Sequence, residues 1–187
     1  MSPYHEWETK NGGRGNPPAF SEGENMQFYH IKDDYIKFLL RYDKNVADNK
    51  QGSRPYIGVV LVIEGISYYA PFTSPKPKHQ KMKNRVDFRK IGGGEYGAIN
   101  LNNMIPVPEN ALVDMNIDEE PDLKYRSLLK KQFLYVDHDW DGIVKTATQL
   151  RRLLLKDDSE LREFEKDIKK RSCNLKLLEQ VYMDYEG

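Results

Sequence analysis

Hydrophobic positions along this chain change period twice. Ile31, Tyr35, Phe38, Leu39 and Tyr42 fall three and four residues apart behind Asp33 and Asp34, which is the spacing and capping chemistry of an amphipathic helix. Tyr56 to Ile63 is then a run of apolar, largely β-branched residues, too short for a buried helix. Glu64-Gly65 turns it, and Ile66 to Phe72 returns, so the pair is predicted as a β-hairpin. After Gly92-Gly93-Gly94, the pieces 97–101 and 104–107 read as short strands of the same sheet. Beyond Pro121 the period returns to that of a helix. Tyr125, Leu128, Leu129, Phe133 and Val136 share one face; Trp140, Ile143, Val144, Ala147, Leu150 and Leu154 share another. Leu161, Phe164 and Ile168 predict a third helix, and Leu178, Val181, Tyr182 and Tyr185 a last one. Strands first and helices after predict an α+β fold, a curled antiparallel sheet braced by helices mostly in the C-terminal half.

Residues 1–25 show neither period and hold Gly12, Gly13, Gly15, Gly23, Pro3, Pro17 and Pro18. That composition predicts an unstructured leader or a remnant of upstream sequence. Residues 26–187 are expected to form one domain, with no internal repeat and no linker. The chain of 187 residues with 39% apolar content has the length and core material for that. No run approaches the roughly eighteen apolar residues of a membrane span, so a soluble, cytoplasmic protein is expected. A single cysteine, Cys173, excludes an internal disulfide framework and a cysteine-only zinc site. Four histidines without an HExxH-like pair leave no metal or other cofactor as the expectation.

Charge changes the picture when it is counted by segment. The 29 Lys plus Arg balance 29 Asp plus Glu, which taken alone argues against a polyanion partner. Yet Lys76, Lys78, Lys81, Lys83, Arg85, Arg89 and Lys90 meet only Asp87 within 74–90, a net +6, whereas Glu109, Asp114, Asp118, Glu119, Glu120 and Asp122 make 109–122 a net −6. One reading makes these blocks interaction surfaces; the other makes them solvated loops that neutralise each other across the fold. The company of the lysines favours a polyanion site. Thr73-Ser74-Pro75-Lys76-Pro77-Lys78-His79 leaves a strand end, so hydroxyls and cations emerge from one edge, and the two prolines restrict the backbone that presents them. Tyr35, Tyr56, Tyr68 and Tyr69 are candidates to stack unpaired bases or, as strand and helix residues usually do, to pack in the core.

Several separated motifs occur in one order. They are Phe28-Tyr29-His30-Ile31, Tyr35-Ile36, 55–61 (PYIGVVL), 69–76 (YAPFTSPK), 97–107 (GAINLNNMIPV) and 172–179 (SCNLKLLE). Together they resemble the ToxN/AbiQ family, protein toxins of type III toxin–antitoxin systems, from Met26 to about Tyr185. The resemblance implies an SH3-like β-barrel related to the MazF/Kid toxins and a metal-independent endoribonuclease. It also implies inhibition by a small repeated RNA pseudoknot, closed cyclic protein–RNA assemblies and a role in abortive phage infection. Position by position, the family's active-site motif falls on Thr73, Ser74 and Lys76, and its N-terminal helix tyrosine on Tyr35. Its basic residue before the first long strand falls on Arg54, where lysine is the family's expected residue. Arginine keeps the charge but does not readily deprotonate, which favours phosphate clamping over proton transfer there.

Metal-free RNA cleavage lets the ribose 2′-hydroxyl attack its own phosphate. The protein must hold attacking and leaving oxygens in line and stabilise a more negative phosphorane. Lys76 is the candidate stabiliser and proton donor to the leaving oxygen. Thr73 and Ser74 are candidates to bond phosphate oxygens, Arg54 to clamp a phosphate, and Tyr35 to orient substrate or move a proton. Lys78, His79, Lys81, Lys83, Arg85, Arg89 and Lys90 are expected along the RNA. Arg151, Arg152, Lys169, Lys170 and Arg171 are expected to share contact with the antitoxin RNA. The alternative is an RNA-binding module without chemistry that uses the 74–90 segment as its groove. A metal-dependent nuclease is disfavoured, because no Asp/Glu/His cluster sits beside that segment.

Overall fold

The hairpin around Glu64-Gly65 is the spine of the computed structural model, which describes residues 27–48 and 58–187. Its strands, β2 (Gly58–Ile63) and β3 (Ile66–Thr73), pair in antiparallel register from Gly58 opposite Pro71 to Ile63 opposite Ile66. Glu64 and Gly65 both carry positive φ, 52° and 81°. Two such residues form the mirror-image turn whose twist matches that of the strands. The far edge of β2 takes β1 (Phe28–Ile31), and β1 takes β7 (Leu112–Asp114). The far edge of β3 is shared. β6 (Ile105–Pro106) pairs with Tyr68 and Tyr69, and β5 (Ala98–Ile99) pairs with Phe72 and Thr73. β4 (Arg89–Lys90) lies outside β5.

The sheet therefore runs β4-β5-β3-β2-β1-β7, with β6 beside β3. It does not close into the expected barrel. Closure needs a continuous ladder from the last strand back to the first. Here the terminal strands are two and three residues long and, among the described residues, pair only inward.

The helices are α1 (Asp33–Leu40), α2 (Pro77–Lys81), α3 (Leu123–His138), α4 (Trp140–Leu155), α5 (Glu163–Arg171) and α6 (Leu175–Val181). Asp122 starts α3 by accepting the backbone N–H groups of Lys124 and Tyr125 at 2.9 and 3.1 Å. Ile143, Ala147, Leu150 and Leu154 bury the predicted face of α4, which packs on β2, α3 and α6. The isoleucine and each of the two leucines contribute roughly 1.5–3 kcal/mol on burial. α5 departs from its prediction. Leu161 and Ile168 are buried, but Phe164 is 53% exposed beneath the Arg162 guanidinium. No helix among the described residues is long and apolar enough to cross a membrane.

Two elements fall inside segments read from the sequence as charged loops. α2 interrupts the basic run because Pro77, with φ already fixed, occupies its first turn and extended Lys76 caps it. β7 lies in the acidic run, where Val113 pairs with His30. The tyrosines proposed as base platforms are core residues instead: Tyr35 and Tyr68 have no exposed surface and Tyr69 is 3% exposed. Tyr56 lies outside the described residues.

Candidate functional site

Thr73 closes β3 opposite Ala98, and the turn beneath it depends on glycine. Gly97 has φ +95°, and any Cβ there would run into the Thr73 carbonyl oxygen. Only glycine lets the two backbones approach this closely. From this fixed end the chain passes through exposed Ser74 and Pro75 to Lys76, whose carbonyl accepts the His79 backbone N–H at 2.9 Å in the first turn of α2. α2 rests on the glycine turn at Gly92–Gly94. A Cβ on Gly94 would lie 2.7 Å from the His79 carbonyl. The short helix thus presents Lys76, Lys78 and Lys81 to solvent and turns His79 inward, 2% exposed, with its ring 5.5 Å from that of Phe88.

These residues line a groove of about 830 Å³. Thr73, Lys76, Lys78, His79 and Lys81 form one wall. Lys83, Asn84, Arg85, Asp87 and Phe88 continue it, and Asn100, Asn102 and Asn103 come from the turn after β5. Arg171, the last residue of α5, completes the lining. Cations and amides dominate, so the groove suits a chain of phosphates. Burial first, then Lys76 and Lys78, hold the His79 imidazole below its usual pKa, so it is neutral at pH 7.

The structure brings together only part of the residues expected from the sequence. Thr73, Lys76, Lys78, His79, Lys81, Lys83 and Arg85 share the groove; Ser74 is exposed beside them but does not line it. Arg54 lies outside the described residues. Tyr35 lies elsewhere: its hydroxyl donates to the Pro106 carbonyl at 2.5 Å and its ring packs 4.9 Å from Tyr185. Burial pushes that hydroxyl's pKa well above its usual value, so in this conformation Tyr35 is a core anchor rather than a proton carrier.

Arg89 and Lys90 are turned away to a second cavity of about 560 Å³, between β4 and the α3–α4 junction. The Arg89 guanidinium binds both Asp139 carboxylate oxygens at 2.5 and 2.6 Å and donates to the Thr146 hydroxyl at 3.1 Å. It fastens a helix junction instead of following RNA. Arg151 is likewise corrected from RNA contact to internal strut. It is 8% exposed and bonds Glu179, Glu64 and the Tyr68 hydroxyl. Lys169 is tied to the Lys156 carbonyl at 2.6 Å and to Asp158 at 2.9 Å. Arg152 and Lys170 are exposed.

Sequence reasoning missed the asparagines and Asp87 as groove residues. The motif 97–107 carries Asn100, Asn102 and Asn103, and Asp87 is the lone carboxylate of the basic run, but neither feature by itself indicates a place in the groove. Arg171 had been placed with the antitoxin contacts, whereas it bonds Asp87 inside the groove. Among the described residues no group of three or more His, Cys, Asp or Glu side chains is arranged to hold a metal ion.

Comparison with known proteins bears on this arrangement. The endoribonuclease ToxN of Pectobacterium atrosepticum is 30% identical over 170 residues, covering 86% of this chain and 94% of that protein. The endoribonuclease ToxN of Bacillus thuringiensis subsp. kurstaki is 33% identical over 131 residues, 68% of each chain. The endoribonuclease AbiQ of Lactococcus lactis subsp. lactis is 28% identical over 167 residues, covering 82% of this chain and 86% of that one. Among solved structures, a toxin described as selectively inhibited by a non-coding RNA pseudoknot superposes with a TM-score of 0.74. It is 24% identical, with 87% of this chain and 99% of that one covered, and speaks to fold alone. A solved AbiQ, described as a lactococcal anti-phage endoribonuclease, gives a TM-score of 0.69 at 25% identity, over 87% and 98%. The family profile described as "Toxin ToxN, type III toxin-antitoxin system" matches residues 27–183, which takes in the strand end, the lysine helix and the asparagine turn alike, and the chain belongs to that family.

Proposed function

We propose that this member of the ToxN family is an endoribonuclease toxin that cuts RNA in the Lys76 groove without a metal ion. The observation that carries the reading is the rigid delivery of Lys76. A strand end locked by Gly97 and a helix seated on Gly94 hold its backbone at the mouth of a groove lined by cations and amides. The named relatives, endoribonucleases at 28–33% identity, supply the reaction.

In this reading RNA lies along the groove with one phosphate against Lys76. The 2′-oxygen of the nucleotide on its 5′ side attacks that phosphorus and loses its proton to a solvent water. The bond to the 5′-oxygen of the next nucleotide breaks, leaving a 2′,3′-cyclic phosphate and a 5′-hydroxyl. Lys76 balances the charge that builds on the phosphorane and delivers a proton to the departing oxygen. Thr73 and Ser74 donate to the non-bridging oxygens, and Arg54 clamps a neighbouring phosphate. Lys78, Lys81, Lys83 and Arg85 carry the flanking strand.

The antitoxin is a small repeated pseudoknot RNA that occupies the same groove and closes with the toxin into a ring. A solved relative is described as inhibited by such an RNA, and a second, 27% identical with a TM-score of 0.69, is described with a processed non-coding RNA that regulates a bacterial antiviral system. Release of the toxin during phage infection places its action in the cytoplasm. The curled sheet, with two short strands sharing one edge of β3, is read as an opened relative of the SH3-like MazF/Kid barrel.

Purified protein incubated with RNA in excess EDTA tests the reaction. Discrete fragments ending in cyclic phosphate are expected, with the rate reduced at least about a hundredfold by Lys76→Ala. RNA that is retarded in a gel but stays intact would replace the enzyme with a binding module.

A further inference from the structure

Asp87 is out of place in a groove built for phosphates. It is 5% exposed, and its two carboxylate oxygens have different fates. Oδ2 accepts from Nε of Arg171 at 2.7 Å and forms an ion pair with Nη2, also at 2.7 Å. Oδ1 is buried and has no hydrogen-bond partner among the described residues. The backbone around it is fixed. Arg85 and Phe88 exchange hydrogen bonds across the turn at 2.8 and 3.2 Å, and the Asp87 carbonyl accepts from the Asn102 N–H at 3.0 Å. His79, on the same groove, also has a buried ring nitrogen, Nδ1, without a partner. Buried polar atoms are almost always satisfied, so two orphans in one groove point to a ligand that supplies the missing partners.

A phosphate cannot be that partner for Oδ1, because both are acceptors and both are negative. RNA offers a carboxylate only two kinds of donor, the N–H groups of its bases and the ribose hydroxyl. The surroundings favour a base. The aromatic pair His79–Phe88 and the amides of Asn84, Asn100 and Asn102 line the same groove. Aromatic faces and amide edges are what read an unstacked base.

We propose that Asp87 Oδ1 is the centre of a base-reading subsite, with an N–H on the edge of an unstacked base donating to the carboxylate. The proposal rests on the reading of this groove as the RNA site. His79 Nδ1 takes a second hydrogen bond from, or gives one to, the same base edge. Arg171 holds the carboxylate in place through Oδ2; it positions and does not read. Lys81, Met82, Lys83 and Asn84 line this stretch with exposed side chains, and their displacement by the incoming base opens Oδ1.

The test maps every cut that the wild-type protein, Asp87→Asn and Arg171→Gln make in one pool of random-sequence RNA. For the wild type, one position next to the scissile bond should discriminate among the bases by about tenfold or more. Asp87→Asn, which keeps the shape but replaces the all-acceptor carboxylate with an amide, should flatten or invert that preference at that position alone. Arg171→Gln, which keeps the carboxylate, should slow cutting and retain the preference. Cut sites of Asp87→Asn that match the wild type at every position overturn the subsite, as does an equal flattening by Arg171→Gln, which would reduce Asp87 to a brace for the turn. A single 2′-deoxy substitution at the selected nucleotide provides the remaining arm. If it costs as much as the disfavoured base at that position, and Asp87→Asn abolishes that sensitivity, the donor is the ribose and the base assignment is wrong. Wild-type protein that cuts no RNA in the pool defeats the endoribonuclease reading itself and the subsite with it.

Discussion

Arg151 and Glu179 meet in a two-pronged pair, Nε to Oε1 at 3.0 Å and Nη2 to Oε2 at 2.9 Å, and join α4 to α6. The Tyr68 hydroxyl, from β3, accepts from the same Nε at 2.6 Å and donates to Glu179 Oε1 at 2.6 Å. Glu64, in the hairpin turn, takes Nη1 at 2.5 Å. One guanidinium thus ties the hairpin to both helices. Arg151→Ala strands Glu179, 14% exposed in its side chain, without its cation. A loss of about 3–5 kcal/mol in stability is expected, read as a lower midpoint in denaturant. RNA affinity measured well below that midpoint should keep its wild-type salt dependence. A reduced salt slope would return Arg151 to the RNA interface.

Gly97 links backbone conformation to chemistry. Its φ of +95° and its closeness to the Thr73 carbonyl leave no room for a Cβ, so Gly97→Ala must move the strand end that leads to Lys76. The strained backbone alone costs on the order of 1–3 kcal/mol. Cleavage should fall further than stability, by at least about tenfold at a temperature where circular dichroism shows the variant folded. Gly65→Ala, also at positive φ but with open space around its Cβ, should lose stability without the matching loss of cleavage. Equal effects of the two substitutions would disconnect the Thr73 turn from activity.

The contrast between these glycines explains what was legible in the sequence. The hairpin was, because a β-branched run before Glu64-Gly65 and an aromatic-rich run after it admit one local solution. The face of α4 was, because Ile143, Ala147, Leu150 and Leu154 repeat at helical spacing. Open or closed sheet was not legible, since it depends on how far the two- and three-residue terminal strands reach. The site divided in the same way. That Thr73 and Lys76 stand together at one strand end was legible, from the motif and from the prolines that restrict the backbone between and beyond them. Arg89 and Arg151 were misplaced because charge along a chain does not say which carboxylate lies opposite in space. Asp139 stands fifty residues from Arg89, and Glu179 twenty-eight from Arg151. Tyr35 joined the core through the Pro106 carbonyl, a contact that helical periodicity cannot specify.

His79 makes stability depend on pH with a definite sign. Burial and then the neighbouring Lys76 and Lys78 lower its pKa in the folded protein below the ordinary 6.5. Between the folded and unfolded values the unfolded chain binds the proton and the folded one does not. This contribution is complete above about pH 6.5 and is lost as the pH falls through the folded pKa. The thermal midpoint of the wild type should therefore drop more steeply below pH 6.5 than that of His79→Gln. Parallel midpoint curves for the two proteins would show that the imidazole is free to protonate in the fold.

Lys78 and Arg89 belong to the same basic run yet should behave differently toward RNA. Lys78 is exposed on α2 and lines the groove, with no ion-pair partner among the described residues. Arg89 commits its guanidinium to Asp139 and Thr146 on the side of the second cavity. A cation that neutralises a phosphate on binding releases a counterion, so removing it lowers the salt slope of the affinity by about one. A cation already paired within the protein neutralises no phosphate and so releases no counterion from the RNA. Lys78→Ala should weaken binding of the inhibitory RNA and reduce the slope of log affinity against log salt by about one. Arg89→Gln should lower the thermal midpoint and leave the slope unchanged. Equal reductions in slope would mean that Arg89 leaves Asp139 for the RNA, and the α3–α4 junction would then have to rearrange on binding.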